Sequence, residues 1–447
     1  MELANDAAKA RVDSTVYAWY VVAVLLLAQT SSFVDRMIMG LLVGPIRATF
    51  QISDTQYSLL AGFAFSIFYC VMGFPLARIA DRGSRRLLIG VGITVWSLMT
   101  AACGFARSFW GLFAARVGVG VGEATLGPAA YSIITDYFTR EMLARALSIY
   151  MIGVTLGSGI AYMVGGSVVQ WVQSLGTVTL PLLGDLYNWQ PVFFLVGLPG
   201  LLVALLMFTV REPVRRGRLI SAGDAHLPVR EVIAYVLRRR RAYGAHIIGI
   251  SVYVMVVYAL NLWGPTYLIR TFGYSTASAG WTFGSIMVGA GTLGLLTAGW
   301  IADAWSARGR ADAFVRIILT SMILMVPFVV ALGFIKDVRF ALPVLSIAIF
   351  LSAIQGGLAG GTLQLMTPNQ MRAQVMALYG FFANLIGAGI GPTVVAAITD
   401  YVFGRDDAIG QSLAVTGAVL CPIAALILWW GLRAIRAELE AARALAH

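Results

Sequence analysis

The stretch AWYVVAVLLLAQTSSFVDRMIMGLLVGPI, residues 18–46, decides the fold class. About 20 predominantly apolar residues carry a helix across a hydrocarbon layer of ~30 Å, and this run exceeds that length. It nevertheless holds an aspartate and an arginine, Asp35 and Arg36, near its middle. A charge at the bilayer centre costs about 2.5–3.5 kcal/mol on insertion scales, so such residues face a partner or a wet cavity. The first span is therefore read as a membrane helix with a working interior.

The rest of the chain repeats the pattern. It has 447 residues, of which 59% are hydrophobic and only 12% charged. Soluble domains are roughly 45–50% apolar and about 25% charged. Residues 1–15 contain Glu2, Asp6, Lys9, Arg11 and Asp13 where a secretory leader would have an apolar core, so no cleavable leader is expected. Apolar runs place twelve spans near 18–46, 55–80, 86–105, 109–137, 143–172, 189–210, 244–270, 276–302, 312–335, 341–366, 372–401 and 408–434. The expected fold class is thus an all-α membrane protein.

A net charge of +11 raises nucleic acid as a partner, but the basic residues stand in short loops between spans. There they orient a membrane protein, and no nucleic-acid partner is expected. Arg82, Arg85 and Arg86 follow span 2; Arg140 and Arg145 flank the loop after span 4; Arg308 and Arg310 follow span 8; Arg372 follows span 10. The odd-numbered loops are poorer in arginine, so the even loops and both termini are expected in the cytoplasm of a cell whose inner membrane holds the protein. Cys70, Cys103 and Cys421 fall singly in apolar segments, and His226, His246 and His447 are scattered. Neither a metal site, a cofactor nor an enzymatic nucleophile–base pair is expected from that spacing.

Five regions follow: a cytoplasmic tail over 1–17, a six-helix half over 18–210, a basic linker over 211–243, a second six-helix half over 244–435, and a tail over 436–447. The linker carries Pro213, Pro228 and the arginines 238–241, and reads as a segment lying on an anionic leaflet. A purely topogenic role is the simpler reading of the same charges. The halves echo each other. Ala77-Arg78-Ile79-Ala80-Asp81 after span 2 matches Gly299-Trp300-Ile301-Ala302-Asp303 after span 8. Leu143–Tyr150 at the start of span 5 parallels Arg372–Tyr379 at the start of span 11. Such internal symmetry belongs to duplicated transporters with a midplane site, and a channel or receptor does not require it.

Span 4 supplies the second pair of buried charges, Arg116 and Glu123. Seven residues apart, they share one helical face and lie about 10 Å apart along the axis. Counting from the span centres puts Asp35 between them in depth, so Asp35, Arg36, Arg116 and Glu123 can form one neutral cluster. Protonating a carboxylate would then release an arginine for an anion. A static ion-pair lattice joining spans 1 and 4 is the structural alternative. The second half has no central carboxylate; it offers Asn261, Gln355, Gln364 and Asn384 with Tyr258, Trp263, Tyr267, Trp281, Phe381 and Phe382. A charged first half facing an aromatic second half suits an amphiphile.

The Asp35-Arg36 pair, the Arg116…Gly122-Glu123-Ala124 motif and the duplicated loop resemble the major facilitator superfamily. Within it the chain resembles the spinster family, through Trp96-Ser97-Leu98-Met99-Thr100, Gly120-Val121-Gly122-Glu123-Ala124, Leu147-Ser148-Ile149-Tyr150, Gly157–Tyr162 and Arg211-Glu212-Pro213. The match is specific over roughly residues 18–216. The resemblance implies twelve transmembrane helices in two pseudo-symmetric halves, lipid transport of sphingosine-phosphate or lysophospholipid type, and Glu123 and Asp35 as proton-responsive carboxyls. It further implies that Arg116 meets a substrate anion or pairs with Asp35. The substrate set is completed by Arg36, Asn384, Tyr258 and Asn261. Residues Ala77 to Arg86 resemble the superfamily gate, implying that Asp81, Arg82, Arg85 and Arg86, with Asp136 and Asp303, latch the halves at the cytoplasmic side. Ala77 and Ala304 depart from that motif.

The expected function is proton-coupled, alternating-access movement of an amphiphilic anionic lipid by a monomer; proton-coupled symport of small organic anions such as sugar acids is the alternative.

Overall fold

The computed structural model describes residues 2–176, 178–180, 184–213, 229–368 and 370–444. Its helices, in chain order, are α1 (Thr15–Leu41), α2 (Val43–Phe50), α3 (Asp54–Gly73), α4 (Arg85–Cys103), α5 (Phe109–Glu123), α6 (Leu126–Tyr137), α7 (Arg145–Ser174), α8 (Gln190–Thr209), α9 (Val229–Arg238), α10 (Arg240–Phe272), α11 (Thr276–Ala307), α12 (Ala313–Leu332), α13 (Val338–Met366), α14 (Arg372–Phe403) and α15 (Asp406–Ala444). Eleven of them are long and apolar enough to cross a membrane. The twelfth expected span, 109–137, is divided into α5 and α6 at Ala124 and Thr125. Both residues keep right-handed helical torsions, and the Thr125 hydroxyl donates to the Gly122 carbonyl at 2.8 Å. The chain thus carries through the break, while a glycine-rich segment beside Pro128 interrupts the regular ladder. A short hairpin, β1 (Val178–Leu180) antiparallel to β2 (Gly184–Leu186), precedes α8.

Helix starts are written in serines. Ser108 accepts the Gly111 amide at 3.1 Å and begins α5; Ser84 accepts Leu87 at 3.2 Å and begins α4. Ser53 and Gln56 exchange side chain-to-backbone bonds at the start of α3.

Two compact units emerge. Unit 1 is Met1–Met39 with Ile67–Leu219; unit 2 is Gly40–Ser66 with Ile220–His447. In unit 1, α4 packs on α5 and α8, and α1 packs on α7 and α8. In unit 2, α10 is the central helix, packed on α14 and α15, and α12 packs on α15. The first turns of α3 also belong to unit 2. A Cβ on Gly62 would stand 2.6 Å from the Ala388 carbonyl oxygen, so only glycine admits this approach of α3 to α14. Asp400 caps α3 there, accepting the Thr55 amide at 2.7 Å and its hydroxyl at 2.6 Å.

Candidate functional site

The four charges of the expected cluster lie in unit 1, on α1 and α5. Gln29, Ser32, Phe33 and Arg36 recur at the i, i+3, i+4, i+7 spacing that lines one helical face. The Glu123 Oε2 atom accepts from Arg36 Nε at 2.6 Å and from the Ser32 hydroxyl at 2.5 Å. Its Oε1 atom has no hydrogen-bond partner among the described residues. Asp35 points to a different neighbour: its Oδ2 accepts the Thr100 hydroxyl of α4 at 3.2 Å, and its Oδ1 has no partner among the described residues. Arg116 Nη1 lies 3.5 Å from the Asp35 backbone oxygen.

Burial separates the members. Asp35, Arg116 and Glu123 are fully enclosed, whereas the Arg36 side chain is 13% exposed. The Arg36 guanidinium also stands over two rings, 4.8 Å from the Tyr69 centroid and 5.1 Å from that of Phe33. The reachable cation of the cluster is therefore Arg36. Further along α1, Gln29 accepts from the Tyr150 hydroxyl at 2.6 Å, and Tyr150 packs edge-on against Tyr131 at 5.6 Å.

Glycine sets the depth of Glu123. A Cβ on Gly122 would lie 2.7 Å from the Trp96 backbone nitrogen and 2.9 Å from the Gly92 oxygen. Those backbone atoms have no room to yield, so α5 reaches α4 only with glycine at this position.

Sequence reasoning joined the charges but missed Ser32 and Thr100, the hydroxyls that complete the carboxyl contacts. The polar stripe on α1 was the signal for Ser32; Thr100, on α4, stood only within the string Trp96-Ser97-Leu98-Met99-Thr100.

The expected substrate residues of the second half lie in unit 2. Asn384 is half-buried in a widened, π-helical stretch of α14, and its amide donates to the Gly380 carbonyl at 2.8 Å. Tyr258 and Asn261 are half-buried on α10. Trp263 and Tyr267 are core residues, their polar atoms tied to the Pro392 and Leu332 carbonyls at 2.9 Å and 3.0 Å. They do not line a cavity wall; Phe381 and Phe382, edge-to-face at 5.4 Å, remain half-buried.

Among the gate residues, Arg85 is buried and bonded within unit 1. It donates to Asp136, to Ser132 at 2.7 Å and to Glu212 at 2.8 Å. Glu212 also accepts the Arg86 amide at 2.8 Å and the Ser84 hydroxyl at 2.9 Å. Burial alone would raise the Glu212 carboxyl, but these donors outweigh it and hold the group below its ordinary value of 4.5. In the sequence Glu212 stands out only within the string Arg211-Glu212-Pro213. Arg82 and Asp303 are exposed, and the Asp81 side chain lies outside the described residues.

Comparison with known proteins places these features in context. The family profile described as the Major Facilitator Superfamily matches residues 25–392. An MFS-type efflux pump of Mycolicibacterium smegmatis is 29% identical over 419 residues, covering 92% of each chain. Protein spinster homolog 1 of Xenopus tropicalis is 27% identical over 403 residues, covering 86% of this chain and 73% of the relative. A crystal structure of a bacterial homolog of the human lysosomal transporter spinster, inward-facing and unoccupied, superposes with a TM-score of 0.81 at 26% identity, covering 94% of this chain and 98% of the other.

Proposed function

Because the chain belongs to the Major Facilitator Superfamily, as a multi-pass membrane transporter of spinster-like sequence, we propose that it moves an amphiphilic anion of lysophospholipid or sphingoid type by proton-coupled alternating access. The observation that carries this reading is the Arg36–Glu123 contact at 2.6 Å, in which the cation is the one reachable member of a buried cluster.

The chemistry follows from charge. In the resting pair Glu123 satisfies Arg36, and an incoming carboxylate or phosphate would have to displace it. A proton on Glu123 removes that competitor. The neutral acid is cheaper to keep enclosed than the carboxylate, and Arg36 becomes available to the anion. Asp35, buried with one hydroxyl donor to its side chain among the described residues, is the second carboxyl whose charge a proton would cancel. Proton and anion therefore favour each other's binding, and by linkage the effect is reciprocal. Two aromatic rings against Arg36 offer apolar surface beside the charge, as an amphiphile's headgroup–chain junction requires. The placement we propose for the molecule is the inner membrane with both termini cytoplasmic, on the arginine asymmetry of its loops.

A thermal-shift series with lysophospholipid, sphingoid phosphate and a sugar acid between pH 5 and 8 tests the cargo. The lipids should stabilise the protein, and more strongly toward pH 5. Stabilisation by the sugar acid alone would replace this cargo with a small organic anion.

A further inference from the structure

Helix α9 is too short to cross a bilayer, since its 10 residues extend about 15 Å. One side of it, Val232 and Val236, is buried in unit 2, where α9 packs on α10 and α14. The apolar arc does not end there. Val229, Ile233 and Leu237 continue it at four-residue intervals, and they are 51%, 44% and 63% exposed. Arg230 borders this stripe, and Arg238 and Arg240 follow it; all three are exposed and form no ion pair with the described residues. An aliphatic stripe edged by unpaired arginines is the pattern of a helix lying in a membrane interface.

The elbow behind α9 is fixed. Arg239 breaks the helix with torsions of −105° and 29°, and its Nε donates to the two Glu438 oxygens at 3.0 and 3.2 Å. Its guanidinium stands 4.0 Å from the Tyr235 ring centroid, and Tyr235 packs edge-on against Tyr243 at 5.6 Å. The Tyr243 hydroxyl donates to the Met366 carbonyl at 2.9 Å.

Depth comes from the next helix. With 33 residues, α10 is about 50 Å long and overshoots a ~30 Å hydrocarbon layer, which puts an end in the headgroup zone. At that end Arg241 covers the Trp430 ring at 5.3 Å, beside an exposed Trp429. Exposed tryptophans with arginine mark the interface.

We propose that the Val229/Ile233/Leu237 face of α9, with Arg230, Arg238 and Arg240, is a docking surface for anionic phospholipid of the leaflet it meets. The apolar stripe enters the acyl boundary and the three guanidiniums hold phosphate headgroups. Neutral lipid satisfies the stripe but not the arginines, so the surface selects negative leaflets.

The test uses the full-length protein in liposomes. Ile233→Cys is labelled with an environment-sensitive fluorophore, the native cysteines being buried, and Glu231→Cys serves as the polar-face control. Phosphatidylglycerol spin-labelled near the headgroup should quench position 233 strongly and position 231 weakly. Unlabelled phosphatidylcholine in place of unlabelled phosphatidylglycerol should not compete, and high salt should weaken the effect. Adding Arg230→Gln should weaken the phosphatidylglycerol effect about fivefold, and Arg240→Gln a further fivefold. Leu237→Cys reports on the same stripe if Ile233→Cys does not fold. Equal quenching at 233 and 231, or indifference to lipid charge, overturns the proposal. So does shielding of position 233 from both lipid and aqueous iodide, which would mean that protein covers this face.

Discussion

Arg270 holds both carboxylate oxygens of Asp54, Nη1 to Oδ2 at 2.5 Å and Nη2 to Oδ1 at 2.8 Å. Asp54 opens α3 near the beginning of the chain and Arg270 closes α10 far along it, yet both are parts of unit 2. Arg47 adds a second contact to Asp54 at 3.1 Å and reaches Asp406 at 2.7 Å. Asp54 is completely buried, and the fork ties the start of α3 to the end of α10 within unit 2.

Removing one side of such a pair leaves an uncompensated buried charge. Asp54→Asn should destabilise the fold by about 3–5 kcal/mol. Arg270→Lys, which keeps the charge but loses the planar fork, should cost less. Thermal unfolding of the detergent-solubilised variants measures both. Equal melting of Asp54→Asn and the parent would show that the contact holds nothing.

Gly122→Ala should cost about 1–3 kcal/mol, because the new methyl meets backbone atoms of α4 rather than a side chain that could turn away. Gly118→Ala meets only the flexible Met99 side chain and should cost less. Side-by-side melting curves decide it. The order is the prediction, and its reversal would contradict the packing described for α5.

Glu212 predicts a pH dependence with a definite sign. Its carboxyl is held below the ordinary value of 4.5 in the folded state. Stability from this group is therefore complete above that value and is lost as the pH falls through the lower folded value. Glu212→Gln should be less stable than the parent at pH 7, by about 1.5–3 kcal/mol for the lost charged hydrogen bonds. The gap should close as acid protonates the parent. A gap that widens in acid would reverse the assignment.

Much of this architecture was legible because lipid imposes a coarse rule on sequence. Eleven of the twelve apolar runs named from the sequence coincide with helices long and apolar enough to cross a membrane. The break at Ala124 was not legible, since a glycine-rich stretch such as Gly118 to Gly122 reads equally as continuous close-packed helix. The quartet could be found because charge in a span is rare, but its pairing could not. Helical periodicity gives depth and face; it does not say that Arg36 turns to Glu123 while Asp35 turns to Thr100. The buried role of Arg85 was hidden for a similar reason. Its partners Asp136 and Glu212 lie far apart in sequence, and only folding brings them together. Trp263 and Tyr267 show the limit of composition, since an aromatic on a span can serve a cavity or the core with the same letter.

Arg36 separates charge from geometry in the proposed site. Arg36→Lys keeps a cation over Tyr69 and Phe33 but loses the guanidinium plane, and should weaken lipid-anion binding about tenfold. Arg36→Gln should abolish it while leaving a neutral amphiphile unaffected. Equilibrium binding of anionic and uncharged lysolipid to both variants is the measurement, and equal loss of both ligands would point to misfolding instead.

The most direct test is the pH profile of transport by Glu123→Gln in proteoliposomes. The amide mimics the protonated acid and leaves Arg36 without its carboxylate. Uptake by the variant should no longer rise between pH 8 and pH 5 and should no longer respond to an imposed proton gradient, in a protein that still folds. A variant whose uptake keeps the parent's pH profile and gradient response would contradict it.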